Sequence, residues 1–122
     1  MMTDINMQMF ARNAGVNLNF PAGGLVFQEG DPGDCMYVVQ SGMIEILING
    51  HVVDLCGPNE AMGFLSVIDR APRTATARVK EAAEVSVIDQ RKFRFMLDEV
   101  PNFALYIIDA MAHRIRGMKQ AI

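Results

Sequence analysis

The amino-acid sequence predicts a mainly β protein, a jelly roll or similar closed β-roll with a short helix before it and two helices after it. Three observations carry that expectation. Between Val16 and Asp89, short apolar stretches alternate with turn residues, and glycine or proline stands at the corners. Within that region Asn49-Gly50, the strongest two-residue hairpin signal in the chain, separates two apolar runs. Beyond Asp89 the apolar spacing lengthens to three and four, the period of a helix.

Each element can be justified in turn. Thr3 to Arg12 reads as a helix capped by Thr3 or Asp4, with Ile5 and Met9 four apart and Gly15 as its stop. Val16-Asn17-Leu18-Asn19-Phe20 alternates with period two, Pro21 to Gly24 turns the chain, and Leu25-Val26-Phe27 forms the next strand. Gln28 to Asp34 is a dense turn signal. Strands are then expected at Met36–Gln40 and Met43–Ile48, divided by Ser41-Gly42, with Ile44, Ile46 and Ile48 sharing one face. His51 to Leu55 returns, and Cys56 to Glu60 loops on. Further strands are expected at Arg73–Lys80 and at Glu84–Asp89, the latter with Val85 and Val87 inward. Asp89 caps a helix over Gln90–Glu99, and Pro101 opens a last helix to about Gln120.

A chain of 122 residues suits one domain: an N-terminal helix (1–15), a β-roll (16–89) and C-terminal helices (90–122). With 51% hydrophobic and 20% charged residues, disorder is not expected, and no apolar run approaches the length of a bilayer span. No apolar leader opens the chain, so a cytoplasmic protein is expected, with Cys35 and Cys56 as reduced thiols. The net charge of -3 argues against a phosphate-backbone grip on nucleic acid; Arg91, Lys92 and Arg94 read as a solvated helix face. As the chain stands, nothing after Ile122 supplies a helix-turn-helix, and neither direct DNA binding nor membrane binding is expected.

Chemistry concentrates in one stretch, Met62-Gly63-Phe64-Leu65-Ser66-Val67-Ile68-Asp69, followed by Pro72-Arg73-Thr74-Ala75-Thr76. Its grammar is a glycine turn, one short helical turn, a proline stop and an arginine. Gly63 lets backbone approach a ligand, the first helical turn leaves N–H groups unpaired, and Arg73 offers a planar fork for two phosphate oxygens. His51 and His113 stand alone on different elements, so no metal site is expected. No nucleophile-base arrangement or inward carboxylate pair can be identified, and no catalysis is expected. Along the last helix Phe103, Ile107, Met111, Ile115, Met118 and Ile122 form one stripe. Its first half should pack on the β body. For its second half a partner helix is competitive, which makes a homodimer or a protein effector an expectation.

Phe27 to Asp34, Met36-Tyr37-Val38-Val39, Ser41-Gly42, Gly63 and Pro72-Arg73-Thr74-Ala75 resemble, in order and spacing, the cyclic nucleotide-binding domain of catabolite activator-type regulators, protein kinase regulatory subunits and gated channels. The likeness covers roughly residues 10 to 120. It implies an eight-stranded β-roll flanked by helices, with a phosphate-binding cassette between Gly63 and Arg73. By that resemblance Arg73 pairs with the cyclic phosphate, Thr74 and Ala75 reach the phosphate region, and Gly63, Leu65 and Ser66 frame ribose and phosphate. Arg114 is similar in place to a residue that approaches the base.

The departure is Phe64. The family usually has a glutamate there, accepting from the ribose 2′-hydroxyl, and usually an aromatic where this chain has Met62. A phenyl ring cannot accept that bond, and about 1.5–3 kcal/mol, roughly ten- to a hundred-and-fifty-fold in affinity, is forfeited by analogy with hydrogen bonds to charged groups. Thr74 is of the type that can bond a guanine amino group, so cGMP stands beside cAMP as the expected regulatory ligand; no other cofactor is expected. Two readings follow: a module that senses a purine cyclic nucleotide and signals through its C-terminal helices, or a degenerate domain that binds no nucleotide and serves as an interaction or dimerisation module.

Overall fold

The computed structural model describes residues 6–121. Ten elements follow in order: α1 (Met7–Ala14), β1 (Val16–Phe20), β2 (Leu25–Phe27), β3 (Cys35–Ile48), β4 (His51–Cys56), β5 (Ala61–Met62), α2 (Phe64–Asp69), β6 (Thr76–Asp89), α3 (Gln90–Glu99) and α4 (Phe103–Ala121). All strand pairings are antiparallel, in the order β1-β6-β3-β4, with β2 also on β6 and β5 also on β3. The architecture is the predicted one.

The strand count is a correction: six strands, where eight were expected. The stretches Met36–Gln40 and Met43–Ile48 are one strand, β3, because Ser41-Gly42 makes an irregularity rather than a break. Its effect is visible in the side chains. Val39 faces the interior of the roll, as do Ile44 and Ile46, so inward residues are odd-numbered before the irregularity and even-numbered after it. An inserted residue does this in a period-two strand, and Gly42, at φ 89°, supplies the left-handed backbone required. A Cβ at Gly42 would stand 2.3 Å from the Ala82 carbonyl oxygen. The stretches ending at Lys80 and beginning at Glu84 likewise form the single strand β6.

Element ends follow local chemistry. Asn6 caps α1, its side chain accepting from the Met9 N–H, while the proposed caps Thr3 and Asp4 lie outside the described residues. Asn49 and Gly50 both have positive φ, the signature of a type I′ hairpin turn. Asp89 caps α3 by accepting from Lys92 N–H at 2.8 Å. The last helix begins at Phe103 rather than at Pro101. Val100 is held extended, as a residue before proline prefers, and Asn102 takes a left-handed φ of 67° before the helix starts.

Two cores result. Inside the roll, Phe27, Val39, Ile44, Ile46, Ala77, Val79 and Val85 pack together. Between roll and helices, Met36, Val38 and Ile88 meet Phe64 and Val67 of α2, Phe93 and Met96 of α3, and Phe103 and Ile107 of α4. The first half of the α4 stripe is thus core, as expected. Ile115 is 63% exposed, whereas the side chains of Met118 and Ile122 lie outside the described residues.

Candidate functional site

Arg73 is not the first residue of a strand but sits in the loop between α2 and β6, and this corrects the sequence reading. That loop is built tightly. Arg70, at φ 59°, ends α2 by donating its N–H to the Ser66 carbonyl, and the Asp69 carboxylate accepts from Ala71 N–H. The glycine-rich loop between β2 and β3 then clamps the arginine backbone. Arg73 N–H donates to the Asp31 carbonyl at 2.8 Å, and Gly30 N–H donates to the Arg73 carbonyl at 2.8 Å. With its backbone bonded sideways to a loop, Arg73 cannot join the β6 ladder.

Its side chain is 5% exposed. Nη1 donates to the Gly63 carbonyl at 2.9 Å and Nη2 to the Cys35 sulfur at 3.4 Å, while the guanidinium lies over the Phe27 ring at 4.5 Å from its centroid. No described carboxylate pairs with it, and Nε–H has no acceptor. A buried cation without a counter-charge is expensive, and cation–π contact with Phe27 offsets only a part. An anion placed against this guanidinium would supply both the missing counter-charge and an acceptor for Nε–H.

Gly33 makes it fit. A Cβ there would lie 2.7 Å from Arg73 Nε and 2.6 Å from the Ser66 Cβ, so that glycine is required for closeness and not for turning. The second wall is Phe64, 3% exposed, with the Arg114 guanidinium 5.9 Å from its ring centroid. Arg114 Nε approaches Asp54 Oδ2 at 2.9 Å as an ion pair, but out of hydrogen-bond alignment, and its N–H has no acceptor.

All the residues singled out from sequence, Gly63, Phe64, Leu65, Ser66, Arg73, Thr74, Ala75 and Arg114, border one cavity of about 40 Å³, together with Phe27 and Ile46. That volume holds a water, not a nucleotide. Phe27, Ile46, Cys35 and Asp54 were not foreseen as site residues. The alternation of β2, with Leu25 exposed and Phe27 buried, was a usable sign for Phe27; nothing local points to Asp54 as the partner of Arg114.

Beyond Arg114, a groove of about 570 Å³ runs between β4 and α4. There the Tyr106 hydroxyl donates to the Asn59 carbonyl at 2.8 Å, and Cys56, 2% exposed, donates its S–H to the Ala61 carbonyl. Burial pushes the Cys56 thiol from 9.0 to about 12, with Glu60 adding to the effect. Burial, with Cys35 adding to it, takes the Tyr37 hydroxyl from 10.0 to about 12, and burial raises Tyr106 as well. Since the folded values exceed the unfolded ones, the fold keeps protons that the unfolded chain gives up. This stability is fully present below about pH 9 and is lost as pH rises toward about 12. The expected melting temperature is therefore level from about pH 7 to 8.5 and falls steadily above about pH 9; a flat profile to about pH 11 would contradict the burial of these groups.

The site is thus a buried arginine, without a described carboxylate partner, enclosed by an antiparallel β-roll with helical flanks. Comparison with known proteins gives the chain a family. The family model for the cyclic nucleotide-binding domain matches residues 17–100, and the chain belongs to that family. It is 29% identical over 104 residues to a CRP-like cAMP-activated global transcriptional regulator of Mycobacterium tuberculosis, covering 81% of this chain and 46% of the relative. It is 33% identical over 87 residues to a cAMP-dependent protein kinase regulatory subunit of Emericella nidulans, covering 70% of this chain and 21% of the relative. Among solved structures, the Thermus thermophilus catabolite activator protein superposes with a TM-score of 0.80 at 23% identity, over 97% of this chain and 58% of that one, a likeness of fold. The chain spans less than half the length of the two curated relatives. No described helix is long and apolar enough to cross a membrane.

Proposed function

We propose that this domain is a cytoplasmic sensing module whose ligand is a purine cyclic nucleotide, with cAMP or cGMP as the simplest candidates, and whose C-terminal helices report occupancy. The observation that carries the reading is Arg73, buried and lacking both a carboxylate partner and an acceptor for Nε–H. A phosphodiester supplies both. The relatives' names, cAMP-activated regulator and cAMP-dependent kinase regulatory subunit, agree with a ligand of that class.

The route to the helices is steric. Phe64 borders the cavity and also belongs to the core that holds Phe103 and Ile107 of α4. A ligand that displaces the ring must therefore repack α4, shifting the population of helix positions in proportion to its differential affinity. The Gln90 amide, which donates to the Val67 carbonyl at 3.3 Å, ties α3 to the same short helix. Ile115, exposed on the second half of α4, marks the surface offered to a second copy or an effector.

The cavity volume favours a second reading: 40 Å³ between Phe64 and Arg73 suits a domain that has closed its site and works through contacts alone. Melting separates the two. Nucleotide at about a hundred times its Kd adds about 2.7 kcal/mol, several degrees for a domain of this size. A shift of that size with cAMP or cGMP is expected, and none with either at millimolar concentration leaves the degenerate reading standing.

A further inference from the structure

The Arg73 guanidinium is only partly satisfied. Nη1 is engaged by the Gly63 carbonyl, while Nη2 and Nε share one edge of the group, the geometry that grips two oxygens of an anion. Nη2 meets the Cys35 sulfur at 3.4 Å, a weak acceptor, and Nε–H meets none among the described residues. Gly33 keeps the space at Nε open, since a Cβ there would stand 2.7 Å from it. A cation that is 5% exposed thus holds an unmet donor next to the nitrogen that touches Cys35. The two cysteines differ in this respect. Cys56 is 2% exposed, its thiol pushed up to about 12 by burial, and its S–H is committed to the Ala61 carbonyl. Cys35, the first residue of β3, is partly exposed, and it joins access from solvent to a guanidinium against its sulfur, the surroundings in which thiols react.

We propose that Cys35 is an oxidation site: a hydroperoxide converts its thiol to the sulfenic and then the sulfinic acid, and Arg73 holds the oxyanion that results. In each step a sulfur lone pair attacks one peroxide oxygen, the S–O bond forms as the O–O bond breaks, and the departing oxygen takes the acidic proton and leaves as water or an alcohol. Sulfur is oxidised by two electrons and the peroxide is reduced by two. Arg73 contributes at both stages. Its donors stabilise the charge that gathers on the departing oxygen, and afterwards an oxygen bonded to the sulfur puts a strong acceptor where a weak one stood, within reach of Nη2 and Nε. The consequence for sensing rests on the reading that Arg73 takes a cyclic phosphate. A sulfinate tethered to β3 occupies the same fork at high effective concentration, so the oxidised domain is closed to the ligand. Asp34 and Asp89, the chain neighbour and the cross-strand partner of Cys35, are exposed, and water screens them from the new charge while Arg73 stays buried.

Treatment of the whole chain with hydrogen peroxide, followed by dimedone trapping and peptide mass spectrometry, tests the site directly. Cys35 is expected to be labelled about tenfold or more faster than Cys56, and equal rates overturn the proposal. In Arg73→Gln the Cys35 rate should fall about tenfold or more, and an unchanged rate overturns the part given to the guanidinium. Should that variant not fold, Cys35→Asp and Cys35→Asn decide the same point, because the first places a carboxylate with the charge of a sulfinate beside Arg73 and the second places its neutral counterpart there. Cys35→Asp should melt several degrees above Cys35→Asn, and melting at or below it overturns the proposal. Titration with cAMP and with cGMP should give affinities about tenfold or more weaker in the peroxide-treated chain and in Cys35→Asp than in the reduced chain. Equal affinity in all three overturns the occupation of Arg73 by the oxidised sulfur. No binding to the reduced chain overturns the cyclic nucleotide reading instead, with the labelling and melting results still deciding the oxidation site.

Discussion

Arg73→Ala is expected to abolish ligand-induced stabilisation. Two charge-assisted hydrogen bonds to a phosphodiester contribute on the order of 3 kcal/mol or more, so the expected loss in affinity is a hundredfold or greater. Arg73→Lys should retain a part of the binding, because a point charge reaches the anion without matching its two oxygens. The measurement is the melting temperature of each variant across a ligand titration. The comparison isolates the guanidinium because its free-state contacts are the Gly63 carbonyl, the Cys35 sulfur and the Phe27 and Tyr37 rings, with no described ion pair to break. A full ligand shift in Arg73→Ala would remove this residue, and with it the cassette, from the binding mechanism.

Substitution at Phe64 should divide stability from affinity. The ring is 3% exposed within the core that joins α2 to α3 and α4, and Phe64→Ala is expected to cost about 3–5 kcal/mol, ten degrees or more in melting temperature. Phe64→Glu should lose stability in the free state for the same reason, though Arg114, 5.9 Å from the ring, offers the new carboxylate a partner. Its affinity for cAMP should nonetheless rise about ten- to a hundred-and-fifty-fold as the sugar hydroxyl gains an acceptor. Denaturant melts give the first quantity and titration the second. If Phe64→Glu binds cAMP no better than the natural chain, the ring is not what limits the site.

Much of this molecule is written in short-range signals. Asn49-Gly50, Asp89, Gly15 and Pro101 each shape a few residues of backbone around themselves, and the alternation of Ile44, Ile46 and Ile48 marks an inward face without reference to any other strand. The motif around Gly63 and Arg73 is legible for the same reason. Its residues are near one another along the chain, and they border one cavity in space. What local signals cannot convey is which distant segments come together. Gly42 was readable as a turn glycine, yet whether it ends a strand or inserts a residue into one depends on the partner β6, with which β3 keeps pairing on both sides. Gly33 likewise carries only a turn signal in the sequence, and its closeness to Arg73 Nε exists only after the loop folds back over the arginine. The pairing of Arg114 with Asp54, the orphaned donors and the double membership of Phe64 in cavity and core are properties of burial. Burial is decided by the whole fold, because a polar group becomes costly, and therefore informative, only when distant parts of the chain have taken its water away.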